Sequence, residues 1–170
     1  MNWALIFRES LIVGGVLSAV LIVLIIVSLM INKEMWLQDY PPDVKSRWGP
    51  MSEAAKRQRF VVATCFFGVL IGAAAADVMR LRSVLSTPPA FLAIFVSIAI
   101  VFAFFNLVDA VIIDWLILLV LWPGLGVLPG TEGMAGYKDI GWWTTNLLKG
   151  FALAPIAGLL VAGATVLFFS

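Results

Sequence analysis

The chain has 170 residues, 62% of them hydrophobic and 12% charged, with a mean hydropathy of +1.06; soluble domains are about 45–50% apolar and about 25% charged, so a soluble globular protein is excluded. A net charge of +1 offers no electrostatic footprint for nucleic acid. The absence of histidine removes the commonest general base, metal ligand and haem ligand, and the single cysteine, Cys65, has no partner for an internal disulfide.

The first apolar segment spans about residues 11–31 and matches a hydrocarbon core about 30 Å thick. It exceeds the about 7–15 apolar residues of a secretory signal and lacks a small-residue cleavage site, so it reads as a retained span. A polar loop, residues 32–59, follows. Pro41-Pro42 interrupts any helix there. Trp36, Tyr40 and Trp48 are the residue types of a membrane interface, and Lys56, Arg57 and Arg59 suit anionic head groups. Ser52 is placed to cap a helix whose dipole Glu53 favours. That helix leads into a second span, about residues 60–77, closed by Asp77 and Arg80, which share a face as an interfacial pair.

After Pro88-Pro89, residues 90–122 hold neither glycine nor proline and form a long third helix. With Asn106 as reference, Asp109 and Asp114 lie about 60° to one side and about 80° to the other of a small-residue face. Counted from Pro89, both carboxyls sit near the end of the span, and a loop backbone or basic side chain is the expected partner. A glycine-rich loop, residues 123–146, carries Trp142 and Trp143 as further interface residues, and the last span covers about 147–169.

The expected fold is therefore an all-α integral membrane protein: one domain, residues 1–170, in a four-helix transmembrane bundle, with a fifth span by splitting the third helix as the alternative. Four spans put eight lysines and arginines on the side of the two larger loops and three on the other, which makes those loops cytoplasmic and both termini outside. Small residues at spacing four, Gly68-Gly72-Ala76 and Gly150-Ala154-Gly158-Ala162, are expected to pack helices, with Gly14-Ser18 or Gly15-Ala19 in the first span and a bend at Pro155. The runs VIIDWLI (111–117), VLPGTEG (127–133) and GYKD (136–139) resemble a pattern in an uncharacterised family of small multi-pass bacterial membrane proteins. The resemblance implies a bacterial cytoplasmic membrane protein and brings no catalytic residue, cofactor or ligand.

Three functions are compatible with these residues. The leading one is a non-catalytic accessory, assembly or scaffold subunit, whose partners are the lipid bilayer and a second copy or other membrane subunits. The alternative is a small proton- or cation-coupled transporter or channel using Asn106, Asp109 and Asp114. A lipid enzyme would need carboxylates alone, or a metal on Asp109, Asp114, Glu132 and Asp139, and no spacing argues for it; neither cofactor nor metal is expected.

Overall fold

The computed structural model describes residues 2–169. Helix α1 (Trp3–Ile31) leads through a 3-10 turn (Lys33–Asp39) to the short α2 (Pro42–Trp48), and α3 (Glu53–Val84) returns. Helix α4 (Phe91–Val108) continues without a break into a π-helical segment (Asp109–Leu121). The short α5 (Pro123–Gly126), a 3-10 turn (Ala135–Lys138) and α6 (Ile140–Phe169) complete the chain. Among the described residues four helices are long and apolar enough to cross a membrane, and 91–121 is one of them. The bundle is four-spanning, and the split of the third helix does not occur.

The first, second and last spanning helices start earlier than hydropathy alone placed them, while the third keeps its expected start within one residue. Helix α1 begins at Trp3, capped by Asn2, whose side chain accepts from the Leu5 N–H, so Glu9 lies inside the bundle. Ser52 caps α3 as expected, accepting from the Ala55 N–H at 3.2 Å. Helix α4 is the centre: its most extensive contact is with α6, and α1 packs on it and on α3. Leu17, Leu21 and Val101 form one core cluster, and Val78, Ile94, Ile98 and Ala162 another.

Small residues decide how close the helices come, and the two ladders divide. A methyl added at Gly158 would lie 2.7 Å from the Phe95 carbonyl oxygen, so α6 rests against the α4 backbone; Ala154 and Ala162 are buried in the same seam. In α1, Gly14 meets the Phe104 ring and Ser18 donates to the Gly14 carbonyl, which selects that pair over Gly15-Ala19. Gly68 and Gly72, by contrast, have no neighbour within 4 Å and are exposed, and Ala76 is half-buried. The internal packing expected of them is corrected: α3 turns Ala74, Val78 and Leu81 inward instead, because those larger apolar side chains bury more surface. Cys65 also faces outward.

The two polar loops fold together into a cap over one end of the bundle. Leu37, Tyr40, Val44, Met51 and Leu128 form its core. Asp43 accepts from the Gly136 N–H at 2.9 Å, and a side chain at position 136 would collide with that carboxylate. The Lys33 ammonium donates to the carbonyls of Gly124 and Val127, tying the first loop to the second. Tyr137 bonds the Leu128 N–H and the Thr131 hydroxyl. The glycine-rich stretch is thus an ordered connection, with Gly130 and Gly133 at positive φ where side chains are strained.

The cap also absorbs the tryptophans expected at the lipid interface. Trp36 donates to Ser28 Oγ at 2.9 Å, Trp48 to Glu34 Oε1 at 3.3 Å and Trp143 to the Tyr137 carbonyl at 3.3 Å. Each side chain is half-buried, and its indole N–H finds a protein acceptor, on α1 for Trp36 and within the cap for Trp48 and Trp143. Trp3, Trp115 and Trp122 are the exposed ones. Of the basic cluster, Lys56 pairs with Glu53 at 2.6 Å and Arg59 donates to the Met35 carbonyl, while Arg57 is exposed.

Glu34 holds the cap to α3. Burial opposes its ionisation, but hydrogen bonds from the Ser52 N–H, the Ser52 hydroxyl and the Trp48 indole outweigh that and keep its carboxyl below the ordinary value of 4.5. A depressed folded value means this stability is complete above the ordinary value and is lost as pH falls through the folded one. Glu34→Gln is expected to weaken the cap by about 1–3 kcal/mol at neutral pH. Amide exchange at Ser52 should then match the wild type only in acid. In the bundle, Gly158→Ala should destabilise by about 1–3 kcal/mol, whereas Gly68→Ala, with open space beside it, should be neutral or slightly stabilising; thermal unfolding in detergent distinguishes the two.

Candidate functional site

Beneath the cap, between α1, α3, the π-segment and α6, lies a cavity of about 1090 Å³. Ile25, Leu29, Phe66, Phe105, Ile113 and Leu153 give it apolar walls. Asp39, Lys45, Lys138, Lys149 and Trp142 bring charge and aromatic surface to it. Lys45 and Lys149 both stand over the Trp142 ring, 5.2 and 5.6 Å from its centroid.

Asp109 and Asp114 both line this cavity. An α-helix would set them on diverging faces, as the 100° projection does. A π-helix closes its turn by i→i+5 bonds, as the Trp122 N–H to Ile117 carbonyl bond shows at 2.7 Å, so residues five apart come round to the same side. The wider turn therefore puts both carboxyls on one wall, about one turn apart. Asp109 is about 27 Å along the rod from Phe91, so the pair is at the loop end of the span.

Neither carboxyl has the partner expected of it. Among the described residues, no hydrogen bond or ion pair reaches Asp109 or Asp114. The basic side chains nearest by sequence argument are engaged elsewhere: Lys33 caps loop carbonyls, and Arg59 lies 3.9 Å from Asp39.

Asn106 separates from the pair. Its amide donates to the Leu147 carbonyl at 3.0 Å, and Gly150 leaves the room its side chain occupies. It is a clamp between α4 and α6 and does not line the cavity, so the three-residue relay is corrected to two carboxyls. The metal set considered for an enzyme is dispersed. Asp139 caps α6 by accepting from the Trp142 N–H. Glu132 turns to its own backbone N–H and that of Gly130, which hold its carboxyl below the usual range. Among the described residues no three acids, cysteines or histidines converge.

The chain matches no family model, no curated protein and no solved structure.

One polar cluster was missed by sequence reasoning. At the opposite end of the bundle Glu9 is 1% exposed and Asp77 fully buried. Arg80 pairs with Glu9, across helices, and the Asp77–Arg80 interfacial pair is corrected accordingly. The signal available was Arg8-Glu9 beside the first apolar run, which a span drawn from residue 11 placed in solvent.

Asn106→Ala should destabilise by about 0.5–2 kcal/mol and Gly150→Ala by about 1–3 kcal/mol. The double variant should lose less than the sum, because truncating Asn106 makes room for the new methyl group. A double-mutant cycle of unfolding free energies checks this.

Proposed function

We propose that this membrane protein is a small transporter or channel whose cation site, the proton included, is the Asp109–Asp114 pair. The observation that carries the reading is a pair of unpartnered carboxyls on a membrane-spanning helix, facing a cavity large enough for a ligand. Carboxyls in a span are expensive and pair with one another, with a base or with a passing cation. A helix kept only for scaffolding gains nothing from leaving two of them without a partner. The aromatic and apolar walls strengthen the pair's attraction for a cation by lowering the local dielectric. Lys45, Lys138 and Lys149 reach the same cavity, so the ligand that fits best is a proton or small cation accompanied by an anion at the lysines.

A second reading, an accessory subunit of a larger membrane complex, draws on the outward ladder of Gly68, Gly72 and Ala76, which would admit a close helix from a partner. In that case mild-detergent purification brings down a stoichiometric partner.

The purified chain in liposomes is expected to pass protons or small cations down an imposed gradient, read by a pH-sensitive or cation-sensitive dye. Asp109→Asn with Asp114→Asn should reduce that flux at least tenfold while leaving the melting temperature within a few degrees, since the replaced groups hold nothing in the fold. Equal flux in wild type and double variant would remove the site.

A further inference from the structure

The end of the bundle away from the cavity contains a second buried acid whose surroundings are specified by its neighbours. On α1, Glu9 accepts from Arg8 at 3.1 and 2.7 Å on one oxygen, and from Arg80 Nε at 3.1 Å and Arg80 Nη2 on the other. Both arginines reach solvent; the carboxylate between them is 1% exposed. One helical turn before Arg80, Asp77 is 0% exposed and neither of its oxygens has a hydrogen-bond partner. Ile6, Leu81 and Ala93, all at 0% exposure, pack as the apolar core at this end.

The hydroxyls beside Asp77 determine which protonation state fits. Ser10 Oγ donates to the Ile6 carbonyl at 2.8 Å, which can only accept, so the Ser10 proton is committed. The 2.7 Å contact between Ser10 and Ser97 therefore takes its proton from Ser97. Ser97 lies on the α4 face that packs on α3 around Asp77, where Ala74 and Val78 meet Ile94 and Ile98, and with its proton given to Ser10 it keeps an acceptor lone pair. An ionised Asp77 would face a spent hydroxyl, a guanidinium already engaged by Glu9, and the Glu9 charge itself. A neutral Asp77 supplies the one missing donor, and the order Asp77 to Ser97 to Ser10 to the Ile6 carbonyl then gives every hydroxyl one donated bond.

We propose that Asp77 is a proton-binding site, neutral in the pocket it shares with Ser97 while Glu9 holds Arg80. The charged groups around it are Glu9 and Arg8 from α1 and Arg80 from α3; α4 carries no charged residue between Phe91 and Val108. Losing the proton leaves two carboxylates to compete for the Arg80 guanidinium, and a turn of Arg80 to Asp77 along α3 releases the tie between α3 and α1. Binding and release at Asp77 thus set whether those two helices are joined at this end. The site stands on its own observations and does not depend on the cation site beneath the cap.

The full chain is placed in lipid nanodiscs in an Asp109→Asn, Asp114→Asn background, which leaves Asp77 as the one carboxyl inside the spans without a cationic partner or solvent exposure among the described residues. Infrared spectra at neutral pH are expected to show the carbonyl band of a protonated carboxylic acid, and Asp77→Asn should abolish it. Glu9→Gln, with Asp77 intact, should also abolish it, because Arg80 is freed to pair with an ionised Asp77. A spectrum without the band in the background protein overturns the proposal whatever the variants do. A band that survives Asp77→Asn overturns its assignment, and one that survives Glu9→Gln overturns the sharing of Arg80.

Discussion

The loop end of this protein depends on how closely α6 lies against α4. Gly158 lets the α6 backbone touch the Phe95 carbonyl, and Gly150 opens the place where Asn106 reaches the Leu147 carbonyl. In a bilayer there is no hydrophobic force to draw helices together, so this contact rests on dispersion and on one interhelical hydrogen bond. With the seam closed along Ala162, Gly158 and Ala154, the rod beyond Asn106 is held at its start and is free to widen into the π-segment. That widening turns Asp109 and Asp114 to the same wall.

The buried polar groups sort by what is available to satisfy them. Asn106 carries its own donor and finds a carbonyl. Glu34 and Asp43 sit where backbone N–H groups point and serve as anchors for the cap. Glu9 is served by two guanidinia. Asp77, Asp109 and Asp114 have none of these, and an acid left unserved in a span is where a mobile positive charge has the most to gain. The two candidate sites thus lie at opposite ends of the bundle, one beneath the cap and one between α1, α3 and α4.

The cap shows how misleading residue type alone becomes in a membrane protein. Trp36, Trp48 and Trp143 have the amphipathic character of interfacial anchors, yet each indole N–H meets an acceptor inside the protein. Trp3, Trp115 and Trp122 have the same chemistry and remain exposed because no loop folds over them. The loops close on each other through Lys33 and Asp43, contacts that join residues about ninety positions apart and leave no mark in a local window.

The sequence by itself determined the membrane character, the four spans, the long unbroken third helix, the Ser52 cap and the tight seam of the last span. All of these follow from hydropathy, length and local spacing, which act within one helix. Tertiary structure decided the rest. It turned Gly68 and Gly72 outward, brought Arg80 to Glu9 in place of Asp77, and detached Asn106 from the acids it accompanies along the chain. It also replaced an α turn by a π turn where no glycine or proline announced a change. The reason is common to all four: which face of a uniformly apolar helix points inward is set by the neighbour it packs against, and the sequence of one helix does not contain that neighbour.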